Sequence, residues 1–122
     1  MYKRQVLYAQ KFIQHGNSDI RCFVVGDKVI ASMMRRAKGW KTNVSQGAEP
    51  LSYKASEDVK NLAVEACKVL GCYIAGVDIM ISKEGLFVHE LNSQPGFRGL
   101  QSTTKVDIAG KIVDFVISKV KR

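Results

Sequence analysis

The fold is decided by residues 76–92, which have the sequence GVDIMISKEGLFVHELN. Two apolar runs flank a short polar loop, Lys83 to Gly85, and this pattern is typical of a β-hairpin whose glycine adopts the left-handed conformation. We expect Ser82 to pair with Leu86 across the turn, and this pairing sets the register of both strands. The hairpin is therefore predicted to supply two central strands of an antiparallel sheet.

This register places two acidic side chains directly opposite each other. Asp78 falls opposite Glu90, and Gly76 falls opposite Asn92. Side chains alternate along a strand, so Asp78, Glu90 and Asn92 project from one face. Two carboxylates about 5 Å apart repel by about 3 kcal/mol at an effective dielectric constant of 20, so a positive group is required, and Gly76 leaves room for it. Carboxylate and amide oxygens suit magnesium, and the three residues are a candidate metal site.

The composition describes one ordinary globular domain. The chain has 122 residues, of which 46% are hydrophobic and 25% charged. We find no apolar run long enough to span a membrane and no signal peptide pattern. The three cysteines are an odd set without metal-ligand spacing, which favours reduced thiols over disulfides. These features predict a cytoplasmic protein.

The formal net charge of +8 leaves two classes of partner open. A basic chain can bind nucleic acid, and its positive field also attracts anionic ligands such as ATP. The lysines and arginines are scattered, without the interleaved aromatic residues typical of RNA-binding surfaces. The pattern favours a phosphate-handling site or a solvated surface over a dedicated nucleic-acid face.

A second hairpin is predicted earlier in the chain, where apolar β-branched runs flank Gly26-Asp27. An uninterrupted register from this turn places Asp19 opposite Met34, with Arg36 diagonal to Asp19. The pair is either an exposed ion pair at a sheet edge, which contributes little, or a guanidinium site for phosphate. The residues of the hairpin favour neither interpretation.

Capping signals predict two helices. Ser56 can cap a helix that ends at Gly71, and Asp107 can cap a final helix that runs to about Lys119. The polar segment 37–53 is predicted to be a long loop and a candidate binding loop. Together these elements predict an α+β fold, with antiparallel β-hairpins and helices packed on one face of the sheet.

At these residues the chain resembles the C-terminal part of ATP-grasp ligases. Within that superfamily it is similar to the RimK group, which adds amino acids such as glutamate to a carboxylate acceptor. The motifs that carry the resemblance are Gln10-Lys11-Phe12-Ile13, Asp19-Ile20-Arg21-Cys22, Val24-Val25-Gly26-Asp27, Arg35-Arg36-Ala37-Lys38, Gly76-Val77-Asp78-Ile79, Glu90 to Phe97, and Asp107 to Lys111. The resemblance implies the C-terminal subdomain of the ATP-grasp fold.

The resemblance also implies cofactors and substrates. The cofactors would be ATP and magnesium, with manganese as an alternative metal. An acceptor carboxylate, on a protein tail or a small molecule, would be activated as an acyl phosphate and joined to an amino acid. The full-length enzyme could form a homo-oligomer, and no membrane is involved.

Individual residues receive roles from the same resemblance. Arg36 would steady the transferred phosphoryl group as the catalytic residue. Asp78 and Glu90 would ligate magnesium, with Asn92 on a second ion. The residues expected to bind the nucleotide are Lys11 and Phe12 near adenine, Asp19 on the sugar side, and Lys41, Thr42 and Asn43.

The extent of the resemblance predicts a fragment. Residues 6–122 correspond to the C-terminal part of an ATP-grasp domain, whereas the N-terminal domain and the first half of the ATP clamp have no counterpart. Residues 1–5, MYKRQ, resemble the translation of a sequencing adapter and are predicted to be a non-native prefix. The rival interpretations are a basic nucleic-acid-binding module without catalysis and a structural domain in which nearby lysines neutralise Asp78 and Glu90.

Overall fold

The computed structural model describes residues 18–36 and 49–120. This part of the chain forms a five-stranded antiparallel sheet with the strand order β3-β2-β1-β4-β5. The elements are β1 (Ser18–Val25), β2 (Lys28–Arg36), β3 (Glu49–Ser52), α1 (Glu57–Leu70), β4 (Ile74–Ser82), β5 (Gly85–Asn92), α2 (Arg98–Gln101) and α3 (Ile108–Val120). The α+β class and the antiparallel hairpins are therefore confirmed.

The helices lie against both faces of the sheet, not one face as predicted. Helix α1 packs on the face that carries Cys22 and Val77, and these residues share one buried cluster. On the opposite face, Phe23 packs with Leu100 of α2 and Ile108 of α3. The central strand β1 is apolar at consecutive positions from Cys22 to Val25, so both of its sides require cover.

The predicted helix boundaries are confirmed by their caps. The Ser56 hydroxyl accepts a hydrogen bond from the backbone N–H of Val59 at 3.3 Å. Helix α1 ends at Gly71, whose φ of 70° is the left-handed conformation expected of a C-terminal glycine. At the start of α3, the Asp107 carboxylate accepts from the backbone N–H of Gly110 at 3.1 Å. No helix within the described ranges is long and apolar enough to cross a membrane.

One strand lies inside a segment predicted to be loop. Strand β3 pairs with the end of β2 and forms an edge of the sheet, with Leu51 opposite Met34. It contains Pro50, and an edge strand tolerates proline because one side of its backbone needs no ladder partner. Residues 37–48 of the predicted loop lie outside the described part of the chain.

The β4–β5 hairpin has the predicted pairing of Asp78 with Glu90, but its turn differs from the predicted one. The prediction that Ser82 pairs with Leu86 is wrong, because Ser82 pairs with Gly85, whose φ is 123°. A β-bulge at His89 then adds one residue to β5 and restores the register. Asp78 therefore lies opposite Glu90, as predicted, and the pairing of the strands continues in that register to their ends.

The β1–β2 hairpin also contains a β-bulge, and here the predicted register fails. The pairing next to the turn is as expected, but Ile30 is an extra residue in β2. Beyond it, Asp19 pairs with Arg35 and not with Met34. The diagonal arrangement of Asp19 and Arg36 is therefore wrong, because Arg36 projects from the face opposite to Arg35 and is exposed.

The three thiols differ in their surroundings, and this gives a first prediction. Burial, followed by the nearby carboxylate of Asp78, raises the pKa of Cys22 from 9.0 to about 12. Burial also raises the pKa of Cys67, whereas Cys72 is partly exposed. Because the thiolate is the reactive form, we expect iodoacetamide at pH 8 to label Cys72 first, with Cys22 and Cys67 labelled only in denaturant.

Peptide mapping of the alkylated chain by mass spectrometry checks this order. Labelling of Cys22 as fast as Cys72 in the native chain would contradict the prediction.

The raised pKa of Cys22 also makes the stability of the fold depend on pH, because the folded-state pKa of this thiol lies above its unfolded value. The stability gained by burying the neutral thiol is complete below about pH 9 and is lost as the pH rises toward 12.

Candidate active site

Four charged side chains cluster on the sheet face that also carries Phe23. Strand β1 contributes Asp19 and Arg21, β2 contributes Arg35, and β4 contributes Asp78. Cross-strand pairing sets Asp19 beside Arg35 and Arg21 beside Asp78, so alternation directs all four to the same side. Asp19 and Asp78 are each only 4% exposed, and Arg35 is 6% exposed. Such burial requires that the charges be paired.

Arg35 is the centre of this cluster. Its Nε and Nη2 donate to the two carboxylate oxygens of Asp19 at 2.9 and 2.7 Å. The same Nη2 lies 3.1 Å from Oδ2 of Asp78. Burial alone would lower the pKa of Arg35, but the hydrogen bond to Asp19 and the charges of both aspartates outweigh it and raise that pKa. Arg35 therefore remains cationic and holds two carboxylates together.

Arg21 neutralises Asp78 from the other side. Its Nε donates to Oδ1 of Asp78, and its Nη2 donates to Oδ2 at 3.3 Å. The guanidinium lies over Gly76, where an added Cβ would come within 2.9 Å of Arg21 Nη1 and 3.2 Å of Pro95 Cβ. The room that Gly76 was predicted to leave for a positive group is thus confirmed, and arginine fills it instead of the lysine considered above.

Glu90 and Asn92 complete the oxygen-rich surface beside Asp78. Glu90 lies opposite Asp78 and is exposed. The Asn92 Oδ1 atom accepts from the backbone N–H of Gln94 at 2.9 Å, which fixes the amide at the end of β5. All three side chains belong to the same face, as predicted.

The candidate ligand atoms are of the chemical type that magnesium prefers, but they are only partly available to bind it. Asp78, Glu90 and Asn92 offer hard oxygen ligands, but both oxygens of Asp78 already accept from arginine. Within residues 18–36 and 49–120, no three His, Cys, Asp or Glu side chains come together as a metal-binding group. A magnesium ion here would need phosphate or water oxygens to complete its shell, which is its usual mode of binding.

The other predicted site residues fall into two groups. Asp19 lies in the charged cluster, whereas Arg36 is exposed on the opposite face, and the roles assigned to both stay predictions. Five residues expected near the nucleotide lie outside the described ranges: Lys11, Phe12, Lys41, Thr42 and Asn43.

Sequence reasoning missed the contribution of Arg21 and Arg35 to the site. A signal was available, because Arg21 interrupts an otherwise apolar run from Ile20 to Val25. A charged residue within a buried strand requires a partner of opposite charge, and Asp78 on the neighbouring strand β4 supplies it.

The antiparallel sheet has helices on both faces and carries paired carboxylates beside two guanidinium groups on one of them. Carboxylates can bind metal ions and guanidinium groups can bind phosphates. The family described as the RimK-like ATP-grasp domain matches residues 2–116. The chain belongs to this family.

Individual relatives agree with this assignment. The chain is 45% identical over 116 residues to a protein of Ectopseudomonas mendocina (strain ymp) named "Probable alpha-L-glutamate ligase", covering 93% of this chain and 38% of the relative. It is 45% identical over 114 residues to "Probable alpha-L-glutamate ligase 2" of Hahella chejuensis (strain KCTC 2396), covering 91% and 38%. The chain therefore spans less than half the length of the curated relatives it matches.

A solved structure supports the fold. The chain is similar to the ATP-grasp ligase PsnB in a complex with a phosphomimetic variant of its minimal precursor, Mg and ADP. The TM-score is 0.70 at 28% identity, and the match covers 88% of this chain and 34% of PsnB. The antiparallel sheet with its helices thus corresponds to part of the architecture of an ATP-grasp ligase.

Proposed function

We propose that the chain is part of an ATP- and magnesium-dependent carboxylate–amine ligase. The observation that carries the proposal is the pairing of Asp78 with Glu90, on the face that also carries Asn92 and two arginines. Family membership and the names of the relatives support it. The names of these relatives also support glutamate as the amino acid that would be added.

The proposed reaction has two steps. An oxygen of the acceptor carboxylate attacks the γ-phosphorus of ATP, the bond to the ADP oxygen breaks, and an acyl phosphate forms. The amine nitrogen of the amino acid then attacks the acyl carbon, phosphate leaves with the bonding electrons, and the nitrogen loses a proton. Neither step needs a side-chain nucleophile, so catalysis depends on positioning and electrostatic stabilisation.

The residues of the charged face have distinct tasks in this scheme. Asp78, Glu90 and Asn92 would hold magnesium, which supplies positive charge to the phosphate oxygens. Arg21 and Arg35 place two guanidinium groups beside them, and guanidinium groups can bind phosphate bidentately. These tasks concern binding and orientation, as expected of a phosphoryl-transfer site.

The remaining proposed contacts follow the family resemblance. Arg36 would steady the transferred phosphoryl group, and Asp19 would lie on the sugar side of the nucleotide. The acceptor is a carboxylate on a protein tail or a small molecule, and the full-length enzyme could assemble as a homo-oligomer. Since the chain spans only part of its relatives, we expect it alone to bind nucleotide weakly and to turn over little or no substrate.

Calorimetry with Mg-ADP tests the proposed function. We expect Glu90→Gln to weaken magnesium-dependent binding at least about tenfold, or about 1.4 kcal/mol, because one of the two carboxylate ligands is lost. Glu84→Gln is the matched control, since it removes the same charge at the turn of the same hairpin. Equal weakening by both substitutions, or binding that persists in EDTA, would contradict the proposal.

The net charge of +8 supports one other function, binding of nucleic acid without catalysis. A fluorescent single-stranded RNA titrated at increasing salt concentrations tests this alternative. RNA binding that weakens steeply with salt and is unchanged by Glu90→Gln would favour it. We expect instead that the Mg-ADP response depends on Glu90 and that RNA binds only at low salt.

A further inference from the structure

The carboxylate of Asp78 is already engaged on both oxygens. Oδ1 accepts from Nε of Arg21, and Oδ2 accepts from Nη2 of Arg21 at 3.3 Å and lies 3.1 Å from Nη2 of Arg35. Only 6% of this side chain is exposed. A cation that reached Asp78 would therefore enter an environment occupied by two guanidinium groups.

The charges of the cluster balance without a metal ion. Asp19 and Asp78 carry two negative charges, and Arg21 and Arg35 carry two positive charges. A free divalent cation would be repelled by both guanidinium groups at close range, where burial reduces screening. A nucleotide polyphosphate changes this charge balance. Its oxygens attract the Arg21 guanidinium away from the carboxylate of Asp78.

We propose that Arg21 blocks the carboxylate of Asp78, and that divalent metal binds there together with nucleotide phosphates and not before them. We call this blocking contact between Arg21 and Asp78 the lock. The proposal rests on the proposed function and deepens it, since it specifies the metal–nucleotide complex as the form that binds. Arg21 releases Asp78 and turns to a phosphate oxygen, so Asp78 becomes available as a metal ligand. Arg21 is accordingly a positioning residue.

The contacts identify Arg21, not Arg35, as the residue that exchanges. Arg35 is bound bidentately to Asp19 and lies deeper, with 7% of its side chain exposed against 13% for Arg21. Asp78 is the carboxylate to which Arg21 donates its hydrogen bonds within the described ranges. The Arg21 guanidinium lies over Gly76, a position where a side chain would collide with it, so the contact with Asp78 depends on the glycine.

Manganese titration followed by electron paramagnetic resonance tests the lock. In the absence of nucleotide, we expect Arg21→Gln to tighten Mn²⁺ binding at least about tenfold over the unmodified chain, because it removes the group that competes for Asp78. In the presence of ADP, the same variant should lose most of the enhancement that ADP gives to Mn²⁺ binding. Lys83→Gln removes the same charge at the distant β4–β5 turn and should leave both titrations unchanged.

Two further variants keep the test decisive. Arg21→Lys retains a positive charge without the guanidinium fork, so its Mn²⁺ affinity should lie between those of the unmodified chain and Arg21→Gln. Adding Asp78→Asn to Arg21→Gln should abolish the gain, which shows that the gain acts through Asp78. Circular dichroism establishes that each variant is folded before titration.

The outcomes separate the lock from the proposed function. Mn²⁺ affinity that is equal in the unmodified chain and in Arg21→Gln, or weaker in the variant, would overturn the lock. A gain in Arg21→Gln together with no ADP binding by any form would support Arg21 as the group that competes for Asp78, but it would refute the proposed nucleotide site and the joint binding of metal with nucleotide. ADP-dependent Mn²⁺ binding that is insensitive to Arg21 would support the nucleotide site and refute the lock.

Discussion

Replacing Arg35 with methionine is expected to destabilise the chain by about 3–5 kcal/mol, the usual cost of breaking a buried ion pair from one side. The substitution leaves the buried Asp19 without its Arg35 partner, while Asp78 keeps its ion pair with Arg21. Methionine fills much of the volume of the lost side chain, so the effect reports charge and hydrogen bonding more than a cavity. Urea unfolding followed by circular dichroism gives the free energy of unfolding.

The neighbouring arginine is the matched control for this prediction. Arg36→Met removes the same group from an exposed position and should change the free energy of unfolding by no more than about 0.5 kcal/mol. Asp19→Asn added to Arg35→Met should recover part of the loss, because one uncompensated buried charge is removed. Equal unfolding midpoints for Arg35→Met and Arg36→Met would contradict the register of the β1–β2 hairpin.

The two hairpins show why one register was predictable and the other was not. In the β4–β5 hairpin, the turn is tighter by one residue than predicted, and the bulge at His89 restores the pairing of Asp78 with Glu90. The predicted pairing is thus correct although the predicted turn is not. In the β1–β2 hairpin, the turn is as predicted and the single bulge at Ile30 has no compensation.

Neither bulge has a marker in the sequence. A one-residue shift inverts which face each side chain occupies, so Arg35 and not Arg36 joins the buried cluster. The preference for Arg35 inside and Arg36 outside depends on Asp19 and Asp78, which lie on other strands. Local sequence patterns do not contain that information.

Helix boundaries were predictable because their determinants are local. Ser56 and Gly71 terminate α1 through backbone contacts within a few residues. The repulsion between Asp78 and Glu90 likewise predicted that a positive group must lie nearby. Its identity required tertiary structure, because Arg21 reaches Asp78 across a strand pair separated by 57 residues in sequence.

The second large effect is expected at Phe23, which connects the core to the segment after β5. Phe23 is fully buried, and its ring meets Phe97 edge-on at a centroid distance of 5.6 Å and an angle of 84°. Phe23→Ala should cost about 3–5 kcal/mol, because a large cavity opens beneath Phe97. Val113→Ala, at a half-exposed position on α3, is the control and should stay within about 0.5 kcal/mol.

A second measurement separates loss of the core from loss of this particular contact. Because Phe97 follows Glu90 and Asn92 along the chain, a looser contact with Phe23 should speed amide hydrogen exchange at Gln94, whose N–H is held by Asn92. A double-mutant cycle of Phe23→Leu and Phe97→Leu should give a coupling of about 0.5–1.5 kcal/mol, the range for edge-on aromatic pairs. Zero coupling with unchanged exchange would mean that Phe23 stabilises the sheet alone. A measured coupling would instead make the aromatic pair the support that holds the end of β5, and with it the metal-ligand candidates, against the core.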